Sequence, residues 1–191
     1  MAYSLRSLRD YDEHDVLNLF SYDTTGLTAG AISVSKGILV KIATGWKNHD
    51  NAAELGGGLE FVGGAGTFAP ANVVSQRFGV TAKVVANGLT DTPVGMMLFD
   101  VKDADENGEL LKFNPRKAAE MQAAIPGQAV PVVTRGVFLV GDVGGTPATA
   151  GIAYSAANGL ISATSGVGAV IVGKFLGPVD SNGDTLVKLA L

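Results

Sequence analysis

Glycine constrains this chain more than any other feature. It supplies 26 of the 191 residues, about one in seven and roughly twice the usual share, and it falls between many short runs of Val, Ile and Thr. Such punctuation favours an all-β fold with frequent turns over a helical bundle. Period-two alternation supports strands wherever it can be counted. Ile38, Val40 and Ile42 share one face, as do Phe78, Val80, Ala82 and Val84, and Val187, Leu189 and Leu191 alternate with Lys188 and Ala190. About ten short strands are expected by this reading.

One segment has a different character. Asn114 stands at an N-cap position, Pro115 follows at the first helical position, and good helix formers run to Ala124 before Ile125-Pro126-Gly127 stops them. The pattern predicts a helix of two to three turns over 114–125, with Ala118, Met121 and Ile125 packed against a sheet and Arg116 and Lys117 on its solvated face. The expected fold is therefore mainly β, a small β-barrel or sandwich of short antiparallel strands. It has an N-terminal arm over 1–25, a β-rich half over 26–113, the helix, and a C-terminal β-barrel half over 126–191. Within the first half, six glycines in the eleven residues 56–66 predict a long loop over 45–71.

An internal echo links the halves. Ser33-Val34-Ser35-Lys36-Gly37-Ile38-Leu39-Val40 matches Val132-Val133-Thr134-Arg135-Gly136-Val137-Phe138-Leu139 in type, and Ala86-Asn87-Gly88-Leu89 recurs as Ala157-Asn158-Gly159-Leu160. Asn-Gly is the pair that type I′ hairpins need, since both central residues take positive φ, so each copy reads as a hairpin. The spacings differ between the two matches. Duplication with insertions and convergent hairpin chemistry both account for the echo.

Several function classes are disfavoured. The net charge is −4, and the fourteen Lys and Arg residues are scattered singly apart from Arg116-Lys117, so there is no basic stripe to neutralise nucleic-acid phosphates. With no cysteine, disulfide scaffolds and thiolate metal sites are excluded. No stretch approaches the roughly 20 apolar residues of a membrane span. The first residues lack a signal-peptide pattern, which predicts synthesis in the cytoplasm.

Chemistry is sparsely provided. His14 and His49 lie beside no nucleophile signature. Gly63-Gly64-Ala65-Gly66-Thr67 lacks the lysine of a phosphate loop, and Phe68-Ala69-Pro70 follows where a helix should begin. Asp103-Ala104-Asp105-Glu106-Asn107-Gly108-Glu109 copies the start of a calcium loop, but its twelfth position is Asn114 instead of a bidentate Glu. Asp103, Asp105 and Asn107 therefore read as a polar turn, with a weak cation site as the alternative. No enzyme, cofactor or resident metal is expected.

The C-terminal third carries a resemblance. Pro126 to Val140 is followed by Ala150-Gly151-Ile152-Ala153-Tyr154 through Asn158-Gly159-Leu160-Ile161. Then come Ile171-Val172-Gly173-Lys174-Phe175-Leu176 and the close Asn182-Gly183-Asp184-Thr185-Leu186-Val187-Lys188-Leu189. This succession resembles the capsid decoration, or cement, proteins of tailed bacteriophages. The resemblance implies a virion structural protein on the outer surface of a phage head. Its partner would be the major capsid protein, in homo-oligomers with a trimer favoured. It also implies that Tyr3, Leu5, Leu8 and Tyr11 of the arm reach over the capsid or a sister subunit; folding back as the first strand of their own barrel is the alternative. A receptor- or glycan-binding β module, such as a head fibre with Trp46 stacking on a sugar, is the second functional reading.

Overall fold

The computed structural model describes residues 5–7, 12–45 and 82–191. Fourteen strands and one short helix are found among them, so the chain is mainly β as expected, with more and shorter strands than the alternation alone suggests. Five strands close a barrel in the order β2 (Val16–Tyr22), β5 (Lys83–Ala86), β4 (Leu39–Thr44), β6 (Gly95–Met97) and β9 (Ala129–Val133). All its pairings are antiparallel except β2 with β5. A second, six-stranded antiparallel sheet runs in the order β1 (Leu5–Ser7), β10 (Arg135–Gly141), β14 (Asp184–Ala190), β13 (Ile171–Phe175), β11 (Ile152–Ser155) and β12 (Ile161–Ser162). A small third sheet joins β3 (Ser33–Val34), β7 (Asp100–Lys102) and β8 (Ala123–Ala124).

The barrel and the large sheet share a core, and this explains which residues alternate. On β4, Val40 faces the barrel interior beside Val84, Met97, Val130 and Val132. Its neighbour Leu39 points the other way, joining Met96 and Val133 against Phe138, Val172, Phe175, Val187 and Leu189 of the six-stranded sheet. A strand covered on both faces reads as a continuous apolar run, hence Ile38-Leu39-Val40. Ile42, expected on the same buried face as Ile38 and Val40, is instead 47% exposed. It lies past the last β4–β6 pair, Val40 with Gly95, where the barrel wall on that side ends. Ala82 and Val84 are buried as the alternation predicts, whereas Phe78 and Val80 lie outside the described residues.

The expected segment boundaries cut across these sheets. β2, within the 1–25 arm, is a barrel strand, and β9, from the 126–191 half, completes the same barrel next to it. β1 returns the favour by edging the large sheet along β10. Hydrogen-bonding capacity at strand edges, absent from any local pattern, decides this exchange. β4 and β5 pair directly, and the expected 45–71 loop falls in the interval between them, outside the described residues from 46 onward.

The helix is shorter than its pattern predicts. α1 spans Pro115–Glu120, with proline at its start and no side-chain cap from Asn114. Gln122 takes φ +51, and Ala123–Ala124 then form β8, parallel to β7. Buried pairing against Asp100 and Val101 outweighs the helix propensity of the two alanines, a tertiary override of a weak local preference. Ala118 and Ile125 do pack as predicted, with Leu111, Ala123 and Met121, in a small cluster of their own.

The echoed motifs behave unequally. Gly37 and Gly136 both take positive φ, +88 and +148. Each stands where the chain passes from one sheet to another, β3 to β4 and β9 to β10. Asn158 and Gly159 have φ of +60 and +74, and Leu160 N–H donates to Ala157 O at 3.3 Å, which makes the expected turn between the paired strands β11 and β12. Asn87-Gly88 makes no hairpin. Neither residue takes positive φ, β5 pairs with β4 and β2 instead of the following β6, and the Asp91 carboxylate accepts from Gly88 N–H at 2.9 Å. The two copies meet: Gly159 N–H donates to Asn87 O at 2.7 Å, so the regular turn is seated on the irregular one.

Candidate functional site

Of the four arm residues, Leu5 lies on β1 opposite Val140 of the same chain; Tyr3, Leu8 and Tyr11 lie outside the described residues. Among the described strands, β1 is a three-residue edge strand that pairs with β10 alone. Trp46 and His49 also lie outside the described residues. His14 sits in an exposed 3-10 turn, its N–H donating to Asp12 Oδ1 at 3.1 Å.

The acidic loop is a worked-out turn. Asp105 Oδ1 accepts from the N–H groups of Asn107 and Glu109, both at 2.8 Å, and its other oxygen pairs with Lys117 Nζ, which also lies 3.4 Å from Glu106. Asp103 accepts from Gly30 N–H and, at 3.0 Å, from Ile32 N–H, tying the loop to the segment that leads into β3. With these oxygens directed at N–H donors, the geometry is that of a polar turn, and no cluster of three metal-ligating side chains occurs among the described residues. The adjoining cleft, about 270 Å³ between Gly30–Ser33 and Lys102–Glu106, is lined by the same committed groups.

Asp180-Ser181-Asn182-Gly183-Asp184 repeats this turn bond for bond. Asp180 Oδ1 accepts from Asn182 N–H at 2.8 Å and Asp184 N–H at 2.9 Å, and Asp180 N–H donates back to Asp184 O at 2.8 Å. The recurrence of Asp-x-Asn-Gly-acid at 105 and 180 is visible in the sequence and is a stronger turn signal than the calcium-loop likeness. Lys117 and then the Glu109 and Asn107 N–H groups hold Asp105 below the ordinary carboxylate range; for Asp180 the Asp184 N–H is the largest cause and that of Asn182 the next. Both groups therefore stabilise the fold above the unfolded carboxylate pKa of about 3.9, a contribution lost as pH falls through their lower folded values. Asp180→Ala should lower the urea midpoint at pH 7, and the gap from the parent should be smaller at pH 3, below the unfolded carboxylate value of about 3.9. A gap of equal size at both pH values would show that the charge plays no part.

The cations are distributed unevenly. Lys41 pairs with Asp91 at 2.7 Å, Lys83 with Asp23, Lys102 with Asp100, Arg116 with Glu120 and Lys117 with Asp105. Lys36 donates to Gln122, and Lys112 lies over the Phe113 ring. Arg135, Lys174 and Lys188 have no ion pair with any described residue, and all three are exposed. They share the outer face of the six-stranded sheet, where the register sets Val137 opposite Lys188, Lys188 opposite Lys174 and Lys174 opposite Ile152. One row across four strands thus reads aliphatic, cation, cation, aliphatic.

No helix among the described residues is long and apolar enough to cross a membrane. Comparison with family models, with curated proteins and with solved structures finds no match to this chain.

Proposed function

We propose that this chain is a structural protein of a phage particle that binds the outer surface of the head and stabilises the assembled capsid. The major capsid protein is its partner, and copies are clustered, most simply as trimers. The observation that carries the reading is the six-stranded sheet. The segments that resemble decoration proteins are its strands β10, β11, β13 and β14, laid side by side over a buried core. The Asp103, Asp105 and Asp180 carboxylates are spent on holding turns, which suits a protein whose work is adhesion. A protein that binds only the assembled shell stabilises it by the free energy of binding, and clustering lifts avidity by roughly two orders of magnitude or more.

Heads purified from the phage that encodes the chain provide the test. The added protein is expected to co-sediment with them at saturating stoichiometry and to raise the temperature at which they fall apart. Light scattering should give the mass of a small oligomer. Protein left wholly in the supernatant, with head stability unchanged, would refute the proposal.

A further inference from the structure

We infer that the outer face of the six-stranded sheet is a docking surface for an acidic protein patch, with Lys174 and Lys188 at its centre. The identity of that patch as part of the capsid rests on the function proposed above; the assignment of the face rests on the sheet alone.

This face carries an electrostatic cost. Lys174 and Lys188 are directly opposed on neighbouring antiparallel strands, and like charges in that relation destabilise a sheet. No described acidic side chain pairs with either one, although the chain as a whole is acidic at −4. The six strands contain a single acidic residue, Asp184, which is buried at the start of β14. Arg135, which has no ion pair with any described residue, adds a third cation to the same face, two residues before Val137. All the other described lysines and arginines whose side chains are placed have a partner, so the cations lacking one are concentrated on this surface. A position that breaks a local rule without compensation among the described residues points to a requirement beyond them.

The chemistry of the surroundings selects the partner. Val137 and Ile152 flank the lysine pair in the row, and Ile152 is 40% exposed. Cations set between aliphatic groups suit a protein surface with carboxylates at its centre and apolar groups to either side, where complementary charge steers encounter and fixes register. Nucleic-acid platforms stack bases on aromatic rings, and the lysine row contains none.

The intact chain would be measured on immobilised poly-L-glutamate at low salt, comparing the parent with Lys174→Glu, Lys188→Glu and, as a control for the same charge change elsewhere, Arg116→Glu. Either sheet variant is expected to bind about tenfold more weakly or worse, with the control within about twofold of the parent. The melting temperature of both sheet variants should hold or rise, because the new glutamate faces a lysine across the strands. This combination separates docking from a structural role, in which binding and stability would fall together.

Unchanged polyglutamate binding in both sheet variants would overturn the inference. So would tighter binding of the parent to duplex DNA than to polyglutamate, or conversion of an oligomer to monomers by Lys174→Glu, which would make a second copy the occupant. The same variants on heads separate the two levels. Heads that bind parent and Lys174→Glu equally would refute the face and leave the proposed function standing. Heads that bind neither, with the polyglutamate pattern intact, would refute the function and leave the face.

Discussion

Phe138→Ala is expected to lower the unfolding free energy by about 3–5 kcal/mol, the range for removing a large aromatic from a packed core. Phe138 is fully buried in the cluster that joins Leu39, Met96 and Val133 of the barrel to Val172, Phe175, Val187 and Leu189 of the large sheet. The cavity would therefore open between two layers whose backbones are each tied by their own ladders, which limits collapse around it. Urea unfolding followed by far-ultraviolet circular dichroism would measure the loss. Ile152→Ala, on the exposed face of the same sheet, should cost within about 0.5 kcal/mol of nothing. Because one core serves both layers, the parent should unfold in a single transition; two separate transitions would show that barrel and sheet are independently stable.

Gly159→Ala is the second large effect, about 2–4 kcal/mol. It combines left-handed backbone strain with overpacking. At φ +74 a side chain is already disfavoured, and its Cβ would meet Leu39 O at 2.5 Å and Ile38 Cβ at 3.0 Å. That backbone belongs to β4 and the residue before it, so the substitution would push the β11–β12 hairpin off the barrel and break the 2.7 Å bond from Gly159 N–H to Asn87 O. Gly183→Ala isolates the strain. Its φ is +89 and nothing lies within 4 Å of its Cβ position, so it should cost only the backbone part, about 1–2 kcal/mol. Equal losses in the two variants would show that the close approach at Gly159 carries no weight.

Asn87 marks the same junction from the other side. It is fully buried; its side-chain N–H groups donate to Gly88 O and Asp91 O, while its Oδ1 has no partner among the described groups. An Asn-Gly pair thus serves as a buried corner here and as a regular turn at 158. Nothing in the dipeptide distinguishes the two outcomes; Asp91 does, three residues after Gly88, by accepting the Gly88 N–H. The turns at 105 and 180 were more legible, since a carboxylate at the first position and Asn-Gly at the third and fourth meet the donors of their own loop without outside help.

By itself the sequence determined what is local: a β-rich chain from its glycine spacing and its Val, Ile and Thr runs, the proline start of α1, the Asx turns, and which faces of β5 and β14 are apolar. Tertiary structure alone decided which strands became neighbours. β2 and β9 are separated by more than a hundred residues yet share a barrel, β1 edges a sheet otherwise made from the C-terminal third, and Ala123–Ala124 leave the helix for a strand. The physical reason is that periodicity specifies which side of an element is buried but carries no record of the surface that buries it. The opposed lysines at 174 and 188 belong to the same class, because only the pairing register sets two charges distant in sequence opposite each other.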